Sequence, residues 1–182
     1  MSCSGCDGVL QAQAKKRPDG SYDAYIEMPL PLSVEAVLLD VGGMPSRFFR
    51  VELPGIVHFV HFASEAEMEY KDMFWTALQD YASDEQLDAF GLVLFDPAHL
   101  HMVPAVYVTA TDTLYWEQSC GSGSAAVAAA LACVGKKNVS CTIQQPGGAI
   151  AIAAAVEGED KELRSIFIGG PVSFGEVQEI DM

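Results

Sequence analysis

Basic residues are scarce in this chain. Lysine and arginine number 10 against 25 aspartates and glutamates in 182 residues, a formal net charge of −15. A surface of that sign repels phosphate backbones and anionic lipid headgroups, which argues against nucleic-acid and membrane partners. Long apolar runs are lacking too: none reaches the roughly 18 uncharged residues of a membrane span without glycine breaks. The first eight residues, Met1-Ser2-Cys3-Ser4-Gly5-Cys6-Asp7-Gly8, carry neither a basic segment nor a long apolar one, so the expectation is a cytoplasmic chain. Cysteine is limited to five, at positions 3, 6, 120, 133 and 141. An odd, scattered set is not the framework of a secreted disulfide scaffold, and reduced thiols are expected. Cys3 and Cys6 form a C-x-x-C pair, but no second pair stands at ligand spacing to complete a zinc site, and no metal is expected.

Half of the residues are apolar and 19% are charged, which is enough to fold around a real core without staples and too greasy for disorder. The length allows one domain. Residues 9–14 and 22–28 flank Arg17-Pro18-Asp19-Gly20, a hairpin signal, and short apolar stretches at 34–41, 47–53 and 56–62 end at Gly42-Gly43, Pro54-Gly55 and Ala63-Ser64. Met68, Phe74, Trp75 and Leu78 share a helical period, predicting an amphipathic helix over 64–81. Further strands are expected at 91–95, 102–108, 114–116, 140–144, 149–156, 163–168 and 172–177.

Residues 121–134 differ from the rest of the chain. They are alanine-rich and apolar on every side, with Gly135 as a stop and Lys136 and Lys137 where a helix C-terminus favours cations. Such a helix must be buried all round, and its small side chains let neighbouring backbone approach closely. The expected fold is therefore α+β: one domain whose antiparallel, barrel-like sheet is wrapped around this single central helix.

Immediately before the helix stands Ser119-Cys120-Gly121-Ser122-Gly123-Ser124. First-turn N–H groups lack intrahelical partners and carry the positive end of the helix dipole. Both effects favour a thiolate at Cys120, while the glycines let a ligand approach and the N–H groups can grip a carboxylate. A small buried residue at a glycine-loosened cap is the plainer alternative. Cys133 and Cys141, in the apolar helix and in a strand, read as core residues.

Cys120-Gly121-Ser122-Gly123-Ser124-Ala125-Ala126 resembles the second catalytic-cysteine motif of the diaminopimelate epimerase-like fold, the cofactor-independent amino-acid racemases and epimerases. Trp116-Glu117-Gln118-Ser119-Cys120 is most similar to the histidine-racemase-like branch that serves opine metallophores. Ser4-Gly5 through Asp19-Gly20 to Glu27-Met28 is similar to the hairpin opening the family's C-terminal half, and Pro146-Gly147-Gly148 and Gly169-Gly170-Pro171 to its closing strands. The resemblance implies an amino-acid substrate, no cofactor, and two cysteines, one from each half, working on opposite faces of the α-carbon. Carried over, Cys120 is one acid/base; Gly121, Ser122 and Gly123 donate N–H groups to the substrate carboxylate; Glu117 binds the ammonium group. His58, in Pro54-Gly55-Ile56-Val57-His58, is similar to the family's Asn-Pro-His strand without its Asn, and either lines the pocket or is satisfied in the core. His99 and His101 read as surface residues rather than metal ligands.

No second cysteine–glycine motif is found, so the chain is expected to correspond to the C-terminal half alone. Another polypeptide, or a second copy in a homodimer, would then complete the cleft. The alternative is a non-catalytic amino-acid-binding or assembly module of the same fold. Phenazine-biosynthesis-type isomerases share the fold but lack the cysteine motif, and a cysteine hydrolase would need a histidine base held by a third group.

Overall fold

A computed structural model describes residues 8–175 of the chain; the Cys3–Cys6 pair and the end of the strand expected at 172–177 lie outside them. The described residues open with the hairpin β1 (Ala12–Lys16) and β2 (Tyr22–Met28), followed by β3 (Ser33–Val41), β4 (Met44–Leu53) and β5 (Ile56–Phe62). Two helical segments, α1 (Glu65–Met68) and α2 (Lys71–Glu85), lead to β6 (Ala89–Asp96), β7 (His101–Val108) and β8 (Thr113–Trp116). Helix α3 (Gly121–Gly135) then precedes β9 (Val139–Gln145), β10 (Gly148–Glu157) and β11 (Glu162–Val172).

The strands form an 11-stranded sheet in the order β1-β2-β11-β10-β9-β7-β6-β5-β4-β3, with β8 paired to β7 off that path. The barrel expected from the sequence is not closed, because β1 and β3 end the order and do not pair with each other. The sheet is mainly antiparallel, with two parallel pairings. Helices α1 and α2 carry the chain back across the sheet, so β6 enters parallel to β5, as a helical crossover requires. The two halves of the sheet meet at one parallel bridge between His101 and Gln144.

Turn chemistry sets the register at β3–β4: Gly42 and Gly43 both adopt positive φ, +61° and +87°, and Asp40 Oδ1 accepts the Gly43 N–H at 2.6 Å. The helix expected at 64–81 is two segments. Ser64 and Glu67 cap α1 reciprocally, Tyr70 leaves helical geometry, and α2 runs on to Glu85. Met68 on α1 and Phe74, Trp75, Leu78 and Ala82 on α2 all reach the same core.

The central strands are buried on both faces, which is why they read as continuous apolar runs. Phe90, Leu92 and Leu94 of β6 face the α2 core, while Val93 and Phe95 face the cluster built on α3. Residues Ala125–Ala130 of α3 are fully buried, packed against β4, β5 and β6 and against β9, β10 and β11. Alanine side chains make so close a fit possible. Gly135 is the last helical residue rather than the stop, and Lys136 takes the left-handed C-cap at φ +48°. Among the described residues no helix is long and apolar enough to cross a membrane.

Candidate active site

Cys120 is the N-cap of α3, with extended backbone angles (φ −128°, ψ 110°) and 7% of its surface exposed. Its Sγ accepts the N–H of Gly123 at 3.3 Å and lies 3.5 Å from Ser122 Oγ. The sulfur thus replaces the hydroxyl or carboxylate oxygen that usually caps a helix. Gly123 fits because a Cβ there would sit 3.2 Å from that sulfur and 3.3 Å from Val93 Cγ2. The N–H groups of Gly121 and Ser122, which precede the first intrahelical bond, make no hydrogen bond to another described residue.

The cysteine backbone is clamped by a residue the sequence did not single out. Gln145, at the end of β9 and 6% exposed, accepts the Cys120 N–H at 2.7 Å through Oε1 and donates through Nε2 to Ser124 Oγ at 3.0 Å. Ser124 in turn donates its hydroxyl to the Cys120 carbonyl at 2.7 Å. This buried ring of four hydrogen bonds, counting Ser124 N–H to Cys120 O at 3.0 Å, fixes the first turn of α3 to the sheet. The following turn holds the approach segment: Gly147 N–H donates to Gln118 O at 2.7 Å, and a Cβ at Gly147 would lie 2.9 Å from Gln118 Cβ. Nothing in the spacing of Gln145 marks it; only its burial at a strand end does.

His58, on β5, is fully buried, and its Nε2 lies 2.9 Å from Ser122 Oγ. Its Nδ1 makes no hydrogen bond and faces Gly91 of β6, where a Cβ would come within 2.4 Å of it. Burial pushes the imidazole down from 6.5 to about 4, so the ring is neutral at physiological pH. Of the two readings of His58, a pocket wall or a core residue, the structure places the ring in the core while attaching it to the motif loop.

Glu117 is half-buried just after β8, three residues before the cysteine, and is anchored by its N–H to Pro104 O at 2.9 Å. Its carboxylate makes no hydrogen bond or ion pair with another described residue. His99 is exposed and its Nδ1 is 2.7 Å from Oδ2 of buried Asp96, which holds the Asp96 carboxyl down and the His99 imidazole up. Cys133 and Cys141 are partly buried, and burial pushes both thiols up. A groove of about 590 Å³ runs over residues of β1, β2, β10 and β11, among them Ala14, Tyr25, Ile150 and Gly169. No motif residue lines it; its wall residue Ile168 lies under Gly121, where a Cβ would meet Ile168 Cδ1 at 3.1 Å.

The buried Cys120 thus caps an alanine-rich helix whose Gly121 and Ser122 N–H groups have no hydrogen-bond partner among the described residues. Residues 1–176 match the family model described as the histidine racemase CntK N-terminal domain. The chain belongs to the histidine racemase family. A histidine racemase of Fusobacterium nucleatum is 31% identical over 130 residues, covering 70% of this chain and 47% of that protein. One of Staphylococcus aureus is 24% identical over 157 residues, covering 85% of this chain and 55% of its own length. The chain therefore spans about half the length of the curated relatives it matches.

The crystal structure of a Bacillus anthracis phenazine biosynthesis protein of the PhzF family superposes with a TM-score of 0.56 at 13% identity, over 92% of this chain and 66% of that one. That likeness shows a shared fold. The histidine racemase model is described as an N-terminal domain, whereas the motif resemblance pointed to a C-terminal half.

Proposed function

We propose that this chain is one half of a cofactor-independent amino-acid racemase, acting on histidine, in which Cys120 exchanges the substrate α-proton. The reading is carried by the placement of the Cys120 sulfur: it accepts Gly123 N–H at 3.3 Å at the positive end of a 15-residue helix. In this reading the N–H groups of Gly121 and Ser122 donate to the substrate carboxylate, and the Glu117 carboxylate pairs with its ammonium group. The Gly123 N–H, expected from the sequence to join that grip, instead serves the sulfur.

Removing the α-proton places negative charge on the α-carbon and its carboxylate. Fixed N–H donors and the helix dipole stabilise that charge without reorganising. The second acid/base comes from the other half, supplied by a further polypeptide segment or by a second copy of the chain. A reducing, cytoplasmic setting keeps the thiol available. The names of the relatives support histidine as the substrate. The test is α-hydrogen exchange of histidine in deuterated water, with the chain in its complete assembly. Exchange is expected with the natural protein and lost in Cys120→Ser; exchange unchanged in that variant, or absent from the natural protein, refutes the reading.

A further inference from the structure

Three polar groups line up from the core to the sulfur: His58 Nε2 is 2.9 Å from Ser122 Oγ, and Ser122 Oγ is 3.5 Å from Cys120 Sγ. The direction of donation along this line follows from the other side of the histidine ring. His58 Nδ1 is buried without a hydrogen-bond partner. It is packed against Gly91, the residue whose missing side chain makes room for the ring. A neutral imidazole carries one N–H. Placing it on Nδ1 would orphan a buried donor, which folded proteins avoid more strictly than an orphaned acceptor. The proton therefore belongs on Nε2, which donates to Ser122 Oγ.

A serine hydroxyl has one proton of its own. With one acceptor site of its oxygen filled by His58, the one other recorded partner for that proton is the Cys120 sulfur. We propose that His58 is a positioning residue that fixes Ser122 as a hydrogen-bond donor to Cys120, so that the sulfur receives two donors, the Ser122 hydroxyl and the Gly123 N–H, and is presented as the base. In that arrangement each donor supports negative charge on the sulfur. The inference rests on the reading of Cys120 as the acid/base, but concerns the state of the sulfur before substrate arrives. Burial of the ring supports it, since the imidazole stays neutral and the donation pattern holds through physiological pH.

The test reads the sulfur and the ring directly. In the natural chain, the nitrogen-15 signals of His58 should show a protonated Nε2 and a bare Nδ1; the opposite tautomer overturns the proposal without any substitution. The ratio of thiolate to thiol at Cys120 is read at neutral pH as the ultraviolet thiolate absorbance that Cys120→Ser removes. Ser122→Ala should lower it about three- to tenfold, the worth of one hydrogen bond. His58→Leu should lower it in the same direction, and His58→Gln, which keeps an N–H donor near Nε2, should restore it. The double variant Ser122→Ala/His58→Leu should fall no further than Ser122→Ala. A ratio unmoved by Ser122→Ala, or a double variant that falls further, overturns the proposal. These readouts need no turnover: a thiolate that responds as described in a protein lacking α-hydrogen exchange refutes the racemase reading alone.

Discussion

Gln145 offers the sharpest test of how the site is held. Its side chain accepts the Cys120 N–H at 2.7 Å and donates to Ser124 Oγ at 3.0 Å, in a region closed to water. Gln145→Leu keeps most of the volume and removes both bonds. Orphaning the buried Cys120 N–H costs about 1–3 kcal/mol, and losing the bond to Ser124 about 1 kcal/mol more. The added apolar burial of leucine returns roughly 1 kcal/mol. The expected net loss is about 2 kcal/mol, and in a chain of this size that lowers the melting temperature by ~4–8 °C. Urea unfolding followed by circular dichroism measures it. The control is Gln144→Leu, one residue earlier on β9 and exposed, which should stay within about 0.5 kcal/mol of the natural chain. A Gln145→Leu loss under about 0.5 kcal/mol, or one matched at position 144, would show that the clamp does not hold the cap.

Other positions give independent checks. Gly91→Ala puts a Cβ 2.4 Å from His58 Nδ1 and 2.8 Å from the Ala105 carbonyl oxygen; strand backbone cannot give way, so a loss of at least about 2 kcal/mol is expected in urea unfolding. His58 is neutral in the folded chain and takes a proton near 6.5 when unfolded, so its contribution is present at neutral pH and disappears as pH falls from 6.5 through about 4. That difference amounts to roughly 3 kcal/mol. His58→Gln should flatten this part of the stability curve, and a slope that persists assigns it to other groups. Asp96, held down by His99, acts at lower pH, its contribution failing only as pH drops below the usual carboxylate range. Ser64→Ala removes the reciprocal cap of α1 and should cost about 1 kcal/mol by thermal unfolding.

Local signals in the sequence were strong wherever one residue type settles a conformation. Gly42-Gly43 marked the end of a strand, the alanine run demanded a buried helix, and Cys120 was placed immediately before that helix. The structure has each of these. Long-range relations were weak. Nothing local to Phe62 or Phe90 says that β5 and β6 run parallel, since both strands are apolar on both faces and their pattern is the same in either direction. Closure of the sheet was likewise out of reach, because it depends on whether β1 and β3 find each other. The break between α1 and α2 was hidden because the apolar spacing from Met68 to Leu78 continues across it.

The site residues divide along the same line. Cys120, Ser122 and Gly123 are neighbours in sequence and announce themselves, whereas Gln145 and Gly91 act on them from 25 and 29 positions away along the chain. Their roles come from cross-chain packing: one supplies the acceptor that the helix N-terminus lacks, the other the space that lets a histidine ring reach Ser122. A cap made only from its own loop would leave the cysteine N–H buried and unpaired, at a cost comparable to the stability margin of many single residues' worth of core. Fastening the loop to β9 through Gln145 and to β5 through His58 removes that cost. It also leaves the Gly121 and Ser122 N–H groups of the first turn without an acceptor among the described residues, the two donors that the proposed racemase reading gives to the substrate carboxylate. The same bonds that stabilise the fold therefore set which donors stay open, so on the proposed reading substitutions at Gln145 should perturb stability and binding of the substrate carboxylate together.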